Sequence, residues 1–304
     1  MLTEMTIVER NWHRSTARVM GSEAEILIDG PVELIRYGFG RLRQLEQTWS
    51  RFLPDSELNR LHDQRDAPRQ CSDDLVAALL RCLDMYYETG GLFDPSIRVS
   101  LERLGYDRTF ADIIDHLPAT AEATTAPGLT GLEIVGNIVR MPPRLSIDLG
   151  GIGKGLAADM IADELVAAGA NSAYVSLGGD IHASGEPVDA EGWHVPLLHP
   201  ISGTVVDHYA LFSGAVVMST VAIRRWTRGG IEHHHIIDPR TGLSSGTDLI
   251  AVAVADQSAA RGEALAKAAI IVGSAEGSAL LRAAGVKAWL ITCDRVEIVE
   301  GLSR

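Results

Sequence analysis

The sequence is poor in cysteine, and the few cysteines it has are not arranged in pairs. Its 304 residues include Cys71, Cys82 and Cys293, with no CxxC spacing. An odd, scattered set argues against a disulfide framework and is typical of buried or idle thiols in a reducing compartment. We therefore expect no disulfide bonds.

Features that direct a chain to a membrane are also lacking. No stretch approaches the ~20 consecutive apolar residues of a transmembrane helix. The N-terminal 21 residues carry charges throughout and contain no apolar core of the kind found in signal peptides. These patterns predict a cytoplasmic protein with no membrane partner.

Positive charge is in deficit, because 27 Lys and Arg against 40 Asp and Glu give a formal net charge of −13. Such a chain is not attracted over long range to nucleic acid or to an anionic membrane surface. We expect no nucleic-acid partner. A polyanionic ligand would have to bind through local backbone N–H groups, single cations or a metal. Hydrophobic residues make up 46% of the chain, which is enough for a sizeable core.

Helical and strand-like segments are interspersed without regular alternation. Apolar spacing predicts helices at 31–49, 72–89, 258–273 and 274–285, one that ends near 168, and a short one after a cap at Asp55 or Ser56. Strands are predicted at 22–29, 172–180, 193–200, 207–220 and 248–256, with hairpins at 132–142 and 287–299. Residues 121–131 and 233–242 are predicted as loops. The pattern favours an α+β fold with a mostly antiparallel sheet.

Residues 146–155, SIDLGGIGKG, place an aspartate, four glycines and a lysine between an apolar strand and a helix. The segment is not a Walker A loop, because Asp148 occupies its first glycine position and Gly155 its serine or threonine position. Glycines let the backbone approach a ligand, and the helix that follows offers free N–H groups to an anion. Asp148 would repel a phosphate and is better suited to accept from a ring N–H, or to lie near a metal. A tight turn capped by Asp148 is an equally good interpretation.

Three further segments carry chemistry. The segment Ser176–Asp180, SLGGD, ends a strand with two glycines and a carboxylate, and Phe93–Pro95, FDP, puts a carboxylate beside an aromatic ring. Of the adjacent His233, His234 and His235, only one is expected to face a site, because neighbouring residues rarely converge on one ion. His235 is the candidate general base. His233 and His234 are expected to be exposed and structural.

Glu263 and Lys267 stand four residues apart in a predicted helix whose other residues are small or apolar after Arg261. Residues at this spacing share a face and lie next to one another. A surface Glu–Lys pair would explain them, but a helix that is apolar all round is usually buried. Buried ionisable groups mark functional sites, and we therefore favour a functional role for the pair.

Seven segments, taken together and in order, resemble the ApbE-type FAD:protein FMN transferases over roughly residues 18–285. These segments are VMGSEAEILI, WSRFLPDSELNRL, GGLFDPSI, SIDLGGIGKGLAAD, VSLGGDI, HHIIDPRTG and GEALAKAAIIVG. The resemblance implies one ApbE-like, T-fold-like domain over residues 1–304, with mostly antiparallel sheets flanked by helices. An FAD cleft would lie between its two lobes.

The resemblance also implies an activity. A threonine hydroxyl of an acceptor protein attacks FAD, FMN is transferred to that hydroxyl, AMP leaves, and a divalent metal, usually Mg²⁺, polarises the pyrophosphate. By the same resemblance, His235 is the base, Asp148 holds the flavin nucleotide and Lys154 lies close to a phosphate. The implied FAD-binding residues are Met20, Phe52, Leu92, Phe93, Asp94, Asp148, Lys154 and Ile236.

The sequence departs from the family at the implied metal site. The family uses backbone oxygens, at the positions of Gly151 and Ala260 here, and an Asp and a Thr side chain. Glu263 stands in place of the Asp and Lys267 in place of the Thr. A protonated lysine cannot ligate a metal, so Mg²⁺ is doubtful, and Lys267 would itself act as the cation on the pyrophosphate with weaker electrostatic stabilisation.

Three functions therefore remain open from the sequence. The preferred one is a flavin transferase with altered or absent metal dependence, which needs FAD and an acceptor protein inside the cell. The second is a flavoprotein that binds FAD without transferring FMN. The third is an FAD pyrophosphate hydrolase, in which water replaces the acceptor hydroxyl.

Overall fold

A computed structural model describes residues 10–64, 66–114 and 123–301. The first nine residues, which belong to the segment used above against a signal peptide, lie outside the described residues, as do residues 121 and 122 of the predicted loop at 121–131. Where the chain is described, no helix combines the length and apolar character needed to cross a bilayer.

Apart from the short helix at Arg98–Arg103, which was not predicted, the helices begin and end close to where the sequence predicts. Their bounds are α1 Glu33–Trp49, α2 Glu57–Asp63, α3 Asp73–Glu88, α4 Arg98–Arg103, α5 Gly153–Ala167, α6 Ala259–Val272 and α7 Ser274–Ala284. Ser56 is the cap of α2, since its side chain accepts from the Asn59 amide at 3.1 Å. Ser72 caps α3 in the same way. Such caps satisfy N–H groups that have no partner within the helix.

One antiparallel sheet forms the centre of the molecule. Its eight strands, in spatial order, are β1 Trp12–Val19, β2 Ser22–Asp29, β6 Ser172–Leu177, β7 Asp180–Gly185, β10 Gly214–Thr220, β15 Ala251–Asp256, β16 Lys287–Ile291 and β17 Val296–Val299. Every neighbouring pair runs antiparallel. The predicted α+β class with mostly antiparallel strands is therefore confirmed.

Smaller sheets surround the central one. β3 Arg69–Gln70, β5 Ile138–Arg140 and β4 Glu133–Val135 form one of them, and the predicted hairpin turn at Gly136 and Asn137 joins its last two strands. The others are two-stranded: β8 Trp193–Leu198 with β9 Val205–Leu211, β11 Arg225–Arg228 with β12 Ile231–His234, and β13 Ile237–Asp238 with β14 Leu243–Ser244.

The central sheet is covered on both faces. Helices α5 and α6 pack on one face, and α1 packs on α5 and β2. The β8–β9 hairpin covers the opposite face through an apolar cluster that includes Trp193 and Trp289. A separate, smaller cluster contains Leu101, Tyr106 and Trp226 and lies beside the main core. The cavity described below is lined from both the main core and this smaller cluster.

Two expectations about the histidine segment are wrong. His233 and His234 are buried, not exposed, with 7% and 8% of their surface accessible. They end strand β12, so the segment is not simply a loop. The His233 ring lies 6.2 Å from Trp226, and His234 Nε2 lies 2.9 Å from the Ser245 carbonyl. Neighbouring residues of a strand point to opposite faces. Each ring is therefore buried by its own contact, His233 by Trp226 and His234 by Ser245, and the local sequence does not reveal these contacts.

Candidate functional site

A cavity of about 260 Å³ collects most of the residues singled out from the sequence. All of the residues implied for FAD binding line it: Met20, Phe52, Leu92, Phe93, Asp94, Asp148, Lys154 and Ile236. Gly151, His235 and Lys267 line it as well. Ala260 and Glu263 do not line it and lie behind its wall. The structure therefore brings these residues together, while their individual roles stay predictions.

The loop after Asp148 is fixed by short local contacts. Asp148 Oδ1 accepts from the Gly150 amide at 2.7 Å, so the aspartate does cap the turn that follows it. Its own amide donates to the Pro95 carbonyl at 2.8 Å, which ties the loop to the Phe93–Pro95 segment. A Cβ at Gly151 would lie 3.2 Å from Phe93 and 3.7 Å from the Lys267 side chain. A side chain at position 151 would narrow the space between the Phe93 ring and the Lys267 side chain, which explains the glycine.

A close crossing of α5 over α6 positions Glu263. A Cβ at Gly155 would lie only 2.6 Å from the carbonyl carbon of Ala259, so only glycine permits this approach. Asp159, one turn further along α5, accepts from the amides of Ala259 and Ala260 at 2.7 and 3.1 Å. This carboxylate satisfies amides at the N-terminus of α6 and lies where the helix dipole favours negative charge.

Four charged side chains form a buried cluster between the two helices and strand β7. Lys154 Nζ donates to Asp180 and, at 2.8 Å, to Glu263 Oε1. Lys267 Nζ lies 3.0 Å from the same Glu263 oxygen and 3.2 Å from Ser219 Oγ. Accessible fractions of the four charged side chains range from 1% for Glu263 to 17% for Lys154. The predicted contact between Glu263 and Lys267 is confirmed, and their buried setting is not that of a surface pair.

The titration of the cluster follows from this arrangement. Burial alone would lower the pKa of Lys154, but Asp180 and Glu263 outweigh it and raise that pKa above its ordinary value. Burial lowers the pKa of Lys267, the Lys154 charge adds to this effect, and the carboxylates only partly offset it. The two ammonium groups hold the pKa of Glu263 below its ordinary value against the effect of burial. Glu263 is therefore ionised at neutral pH.

The residues present do not fit a divalent metal. Glu263 Oε1 accepts from both ammonium groups, and its Oε2 accepts from the Gly155 amide at 3.0 Å. Ala260 is fully buried away from the cavity. Across the described part of the chain, no group of three His, Cys, Asp or Glu side chains could hold a metal ion. Two lysines already balance two carboxylates, so a metal would meet no excess negative charge and would be repelled by both ammonium groups.

His235 faces the cavity from the segment between β12 and β13. Its Nδ1 is shielded from solvent and has no hydrogen-bond partner. Burial lowers the pKa of His235 well below its ordinary value, and the positive charges of Arg224 and Lys267 lower it further. The imidazole is therefore neutral at pH 7 and can accept a proton.

Arg51, Tyr106 and Arg224 are among the cavity residues that sequence reasoning missed. Arg51 precedes Phe52 directly, so its position in a recognised segment was the available signal. Tyr106 lies outside every recognised segment. Arg224 precedes β11 and reaches Ser22 Oγ at 3.4 Å, far away along the chain. No local pattern predicts such long-range contacts.

With the geometry described, comparison with known proteins defines the family. Residues 20–290 match the sequence profile of the ApbE family. The chain is 32% identical over 280 residues to the FAD:protein FMN transferase of Treponema pallidum (strain Nichols), which covers 84% of this chain and 76% of that protein. It is 30% identical over 277 residues to the FAD:protein FMN transferase of Rhodobacter capsulatus, covering 85% of this chain and 52% of the relative. The chain thus spans about half the length of the Rhodobacter protein.

Solved structures agree on the fold. The ApbE protein from Thermotoga maritima superposes with a TM-score of 0.84 at 20% identity, over 95% of this chain and 97% of that one. The flavin transferase ApbE from Vibrio cholerae gives 0.77 at 22% identity, over 96% and 98%. The chain belongs to the ApbE family, and the resemblance inferred from the seven segments is confirmed.

Proposed function

We propose that this protein is an FAD:protein FMN transferase, the activity named for its Treponema and Rhodobacter relatives. A threonine hydroxyl oxygen of an acceptor protein attacks the phosphorus of the FMN half of FAD. The bond from that phosphorus to the bridging oxygen breaks, and AMP leaves with that oxygen. The hydroxyl proton passes to a base. FAD and the acceptor protein are the two partners.

The observation that carries the proposal is the convergence of four chemical functions in one cavity. Asp148 offers a carboxylate oxygen to a ring, Gly151 allows close approach of the backbone, Lys267 supplies positive charge, and His235 supplies a neutral base. In-line phosphoryl transfer requires positioning, charge stabilisation and proton removal. All three are available within this one space.

His235 is the proposed base. An imidazole with a lowered pKa stays neutral at physiological pH, and its Nδ1 has no competing partner. A general base contributes most when it is correctly protonated at the working pH and within reach of the proton. His235 would accept the hydroxyl proton as the new oxygen–phosphorus bond forms.

Lys267 is the proposed cation beside the pyrophosphate. Its ammonium group is anchored by Glu263 and Ser219 at the cavity wall, and an ammonium group stabilises the negative charge that builds up on the leaving phosphate. A single charge gives less stabilisation than a divalent ion. We therefore propose transfer without a requirement for Mg²⁺.

We also propose that the chain acts as a single unit, with the flavin between two lobes. Support comes from the cavity lining, which combines Trp49 and Phe93 of the main core with Leu101 and Tyr106 of the smaller cluster. The cytoplasmic location stays a prediction.

The test combines the purified protein, FAD and the total protein of its own organism. AMP is measured by chromatography, covalent flavin by fluorescence in a denaturing gel, and the modified residue by peptide mass spectrometry. We expect AMP and a threonine-linked FMN in equal amounts. FMN and AMP without a labelled protein would instead identify a hydrolase, and bound FAD without AMP would identify a flavoprotein; either result overturns the proposal.

Three variants and a metal chelator make the test specific. His235→Ala should lower the transfer rate by about 10²- to 10⁴-fold, as expected for loss of a general base. His208→Ala, at an exposed histidine of β9, is the matched control and should not change it. Wild-type rates should be equal in Mg²⁺ and in EDTA, whereas Lys267→Thr combined with Glu263→Asp should make the rate depend on Mg²⁺. Loss of wild-type activity in EDTA would contradict the role of Lys267.

A further inference from the structure

A buried guanidinium group in the cavity wall has no place in the chemistry described so far. The Arg51 side chain is only 3% exposed. Its Cζ lies 4.1 Å from the centroid of the Phe52 ring and 4.7 Å from that of Tyr106. The two rings are tilted by 41° with centroids 5.7 Å apart, so the guanidinium lies in the angle between them. Cation–π contacts of this kind fix the plane of the group without using its N–H donors.

The donors of Arg51 are incompletely used. Nε lies 3.2 Å from Asp148 Oδ2, an ion pair without hydrogen-bond alignment, and both Nε and Nη2 are buried without a hydrogen-bond partner. The Gly150 amide holds the other Asp148 oxygen, so the carboxylate cannot turn to meet the guanidinium better. Buried polar groups in native proteins are nearly always hydrogen-bonded. An unpaired charged donor in a ligand cavity therefore indicates a group that a ligand completes.

The chemistry of that ligand group follows from the neighbours. A phosphate is excluded because the Asp148 carboxylate stands against the same guanidinium and would repel it. The pair instead presents an acceptor, Asp148 Oδ2, next to a donor, Arg51 Nη2, beside the flat faces of Phe52 and Tyr106. Such an edge matches a planar ring that carries an N–H next to a carbonyl oxygen or a ring nitrogen, and aromatic faces favour stacking of that ring.

We propose that Arg51 is a specificity residue that, with Asp148, binds the hydrogen-bonding edge of a heteroaromatic ring of the substrate. This proposal rests on the proposed function, since FAD supplies two rings of this kind. The pyrimidine part of its isoalloxazine has an N–H between two carbonyls, and its adenine has an amino group next to a ring nitrogen. Arg51 Nη2 donates to the carbonyl or ring nitrogen, and Asp148 accepts from the adjacent N–H.

The experiment measures binding, separately from transfer, with FAD, FMN and AMP as probes by isothermal titration. Arg51→Met keeps the length and apolar stem of the side chain and removes the donors. We expect FAD to bind about 10- to 100-fold more weakly, the range for one lost hydrogen bond to a charged group. Arg51→Lys should not restore binding, because an ammonium group cannot reproduce the planar fork. Arg60→Met, at an exposed arginine of α2, is the matched control and should bind as the wild type does.

The mononucleotides identify the ring. A loss confined to FMN assigns the isoalloxazine, and a loss confined to AMP assigns the adenine; either supports the proposal. Equal losses for both, or none for either, would overturn it, since a general disturbance of the cavity does not discriminate between rings. If the wild type binds FAD and Arg51→Met binds it equally well, Arg51 takes no part in recognition, and the transferase proposal is unaffected. If the wild type binds none of the three probes, both the role of Arg51 and the transferase proposal are overturned.

Discussion

Replacing Lys154 by methionine is the most direct test of the buried charge cluster. The change removes an ammonium group that contacts both Asp180 and Glu263 and leaves the cluster with one net negative charge. Glu263 keeps Lys267 at 3.0 Å, but Asp180, 3% exposed, keeps only the Met218 amide at 3.3 Å. The loss of stability should therefore arise mainly from Asp180, whose charge stays buried without a cation beside it.

Removing one partner of a buried ion pair costs about 3–5 kcal/mol because the other charge stays buried without compensation. Lys154 is 17% exposed, and Lys267 still neutralises Glu263, so we expect the lower end, a loss of about 3 kcal/mol in the free energy of unfolding. Urea titration at pH 7, followed by circular dichroism, measures it. Lys287→Met is the matched control: its partner Glu300 is 68% exposed, and the loss should stay below about 1 kcal/mol.

Two further measurements decide whether buried charge is the cause. Adding Asp180→Asn to Lys154→Met removes the uncompensated carboxylate and should recover most of the lost stability. Burial raises the pKa of Asp180, so without Lys154 the folded state binds a proton more readily than the unfolded chain, and the deficit should shrink as the pH falls. A loss below about 1 kcal/mol, or a double variant no more stable than the single one, would refute the reasoning.

Two other predictions concern catalysis and packing. The kcat/KM for AMP release from FAD should stay high on the acid side to well below pH 6.5, because burial lowers the pKa of His235. On the alkaline side it should begin to fall below pH 10.5, because burial lowers the pKa of Lys267. A pH–rate profile with an acid limb at or above 6.5 would contradict the role of the histidine. Gly155→Ala should cost about 1–3 kcal/mol in urea unfolding, because its Cβ would meet the Ala259 carbonyl carbon at 2.6 Å. Gly40→Ala, which meets nothing within 4 Å, is its control, and equal stability of the two variants would contradict the close crossing of α5 and α6.

Local patterns predicted most of the fold because they reflect local physics. Apolar spacing located α1, α3, α6 and α7 to within a residue or two, the candidate cap at Asp55 or Ser56 located α2, and the turn at Gly136 located a hairpin. Strand β1, Trp12–Val19, was not predicted. It is an edge strand with one face exposed at Arg14, Thr16 and Arg18. The other face is only partly buried and carries His13, Ser15 and Ala17, so the sequence lacks clear apolar alternation.

The candidate site was predictable where it depends on spacing and not where it depends on distant partners. Glu263 and Lys267 are neighbours because they are four apart on a helix. Their relation to Lys154 depends on a crossing of two helices 109 residues apart in sequence. Arg51 was missed for a related reason: nothing beside it in sequence indicates that Tyr106 closes over its guanidinium.

The buried cluster explains how this chain accommodates a lysine at the position of Lys267. Two ammonium groups face two carboxylates, so the lysine adds no net charge in a place where an unbalanced charge would be costly. A divalent ion at the same carboxylate would require one ammonium group to leave or to lose its proton. Lys154 keeps its proton, because Asp180 and Glu263 raise its pKa above the ordinary value. Burial lowers the pKa of Lys267, so of the two ammonium groups Lys267 loses its proton more readily. Lys154 therefore supplies a positive charge at this wall of the cavity whatever the metal concentration around the protein.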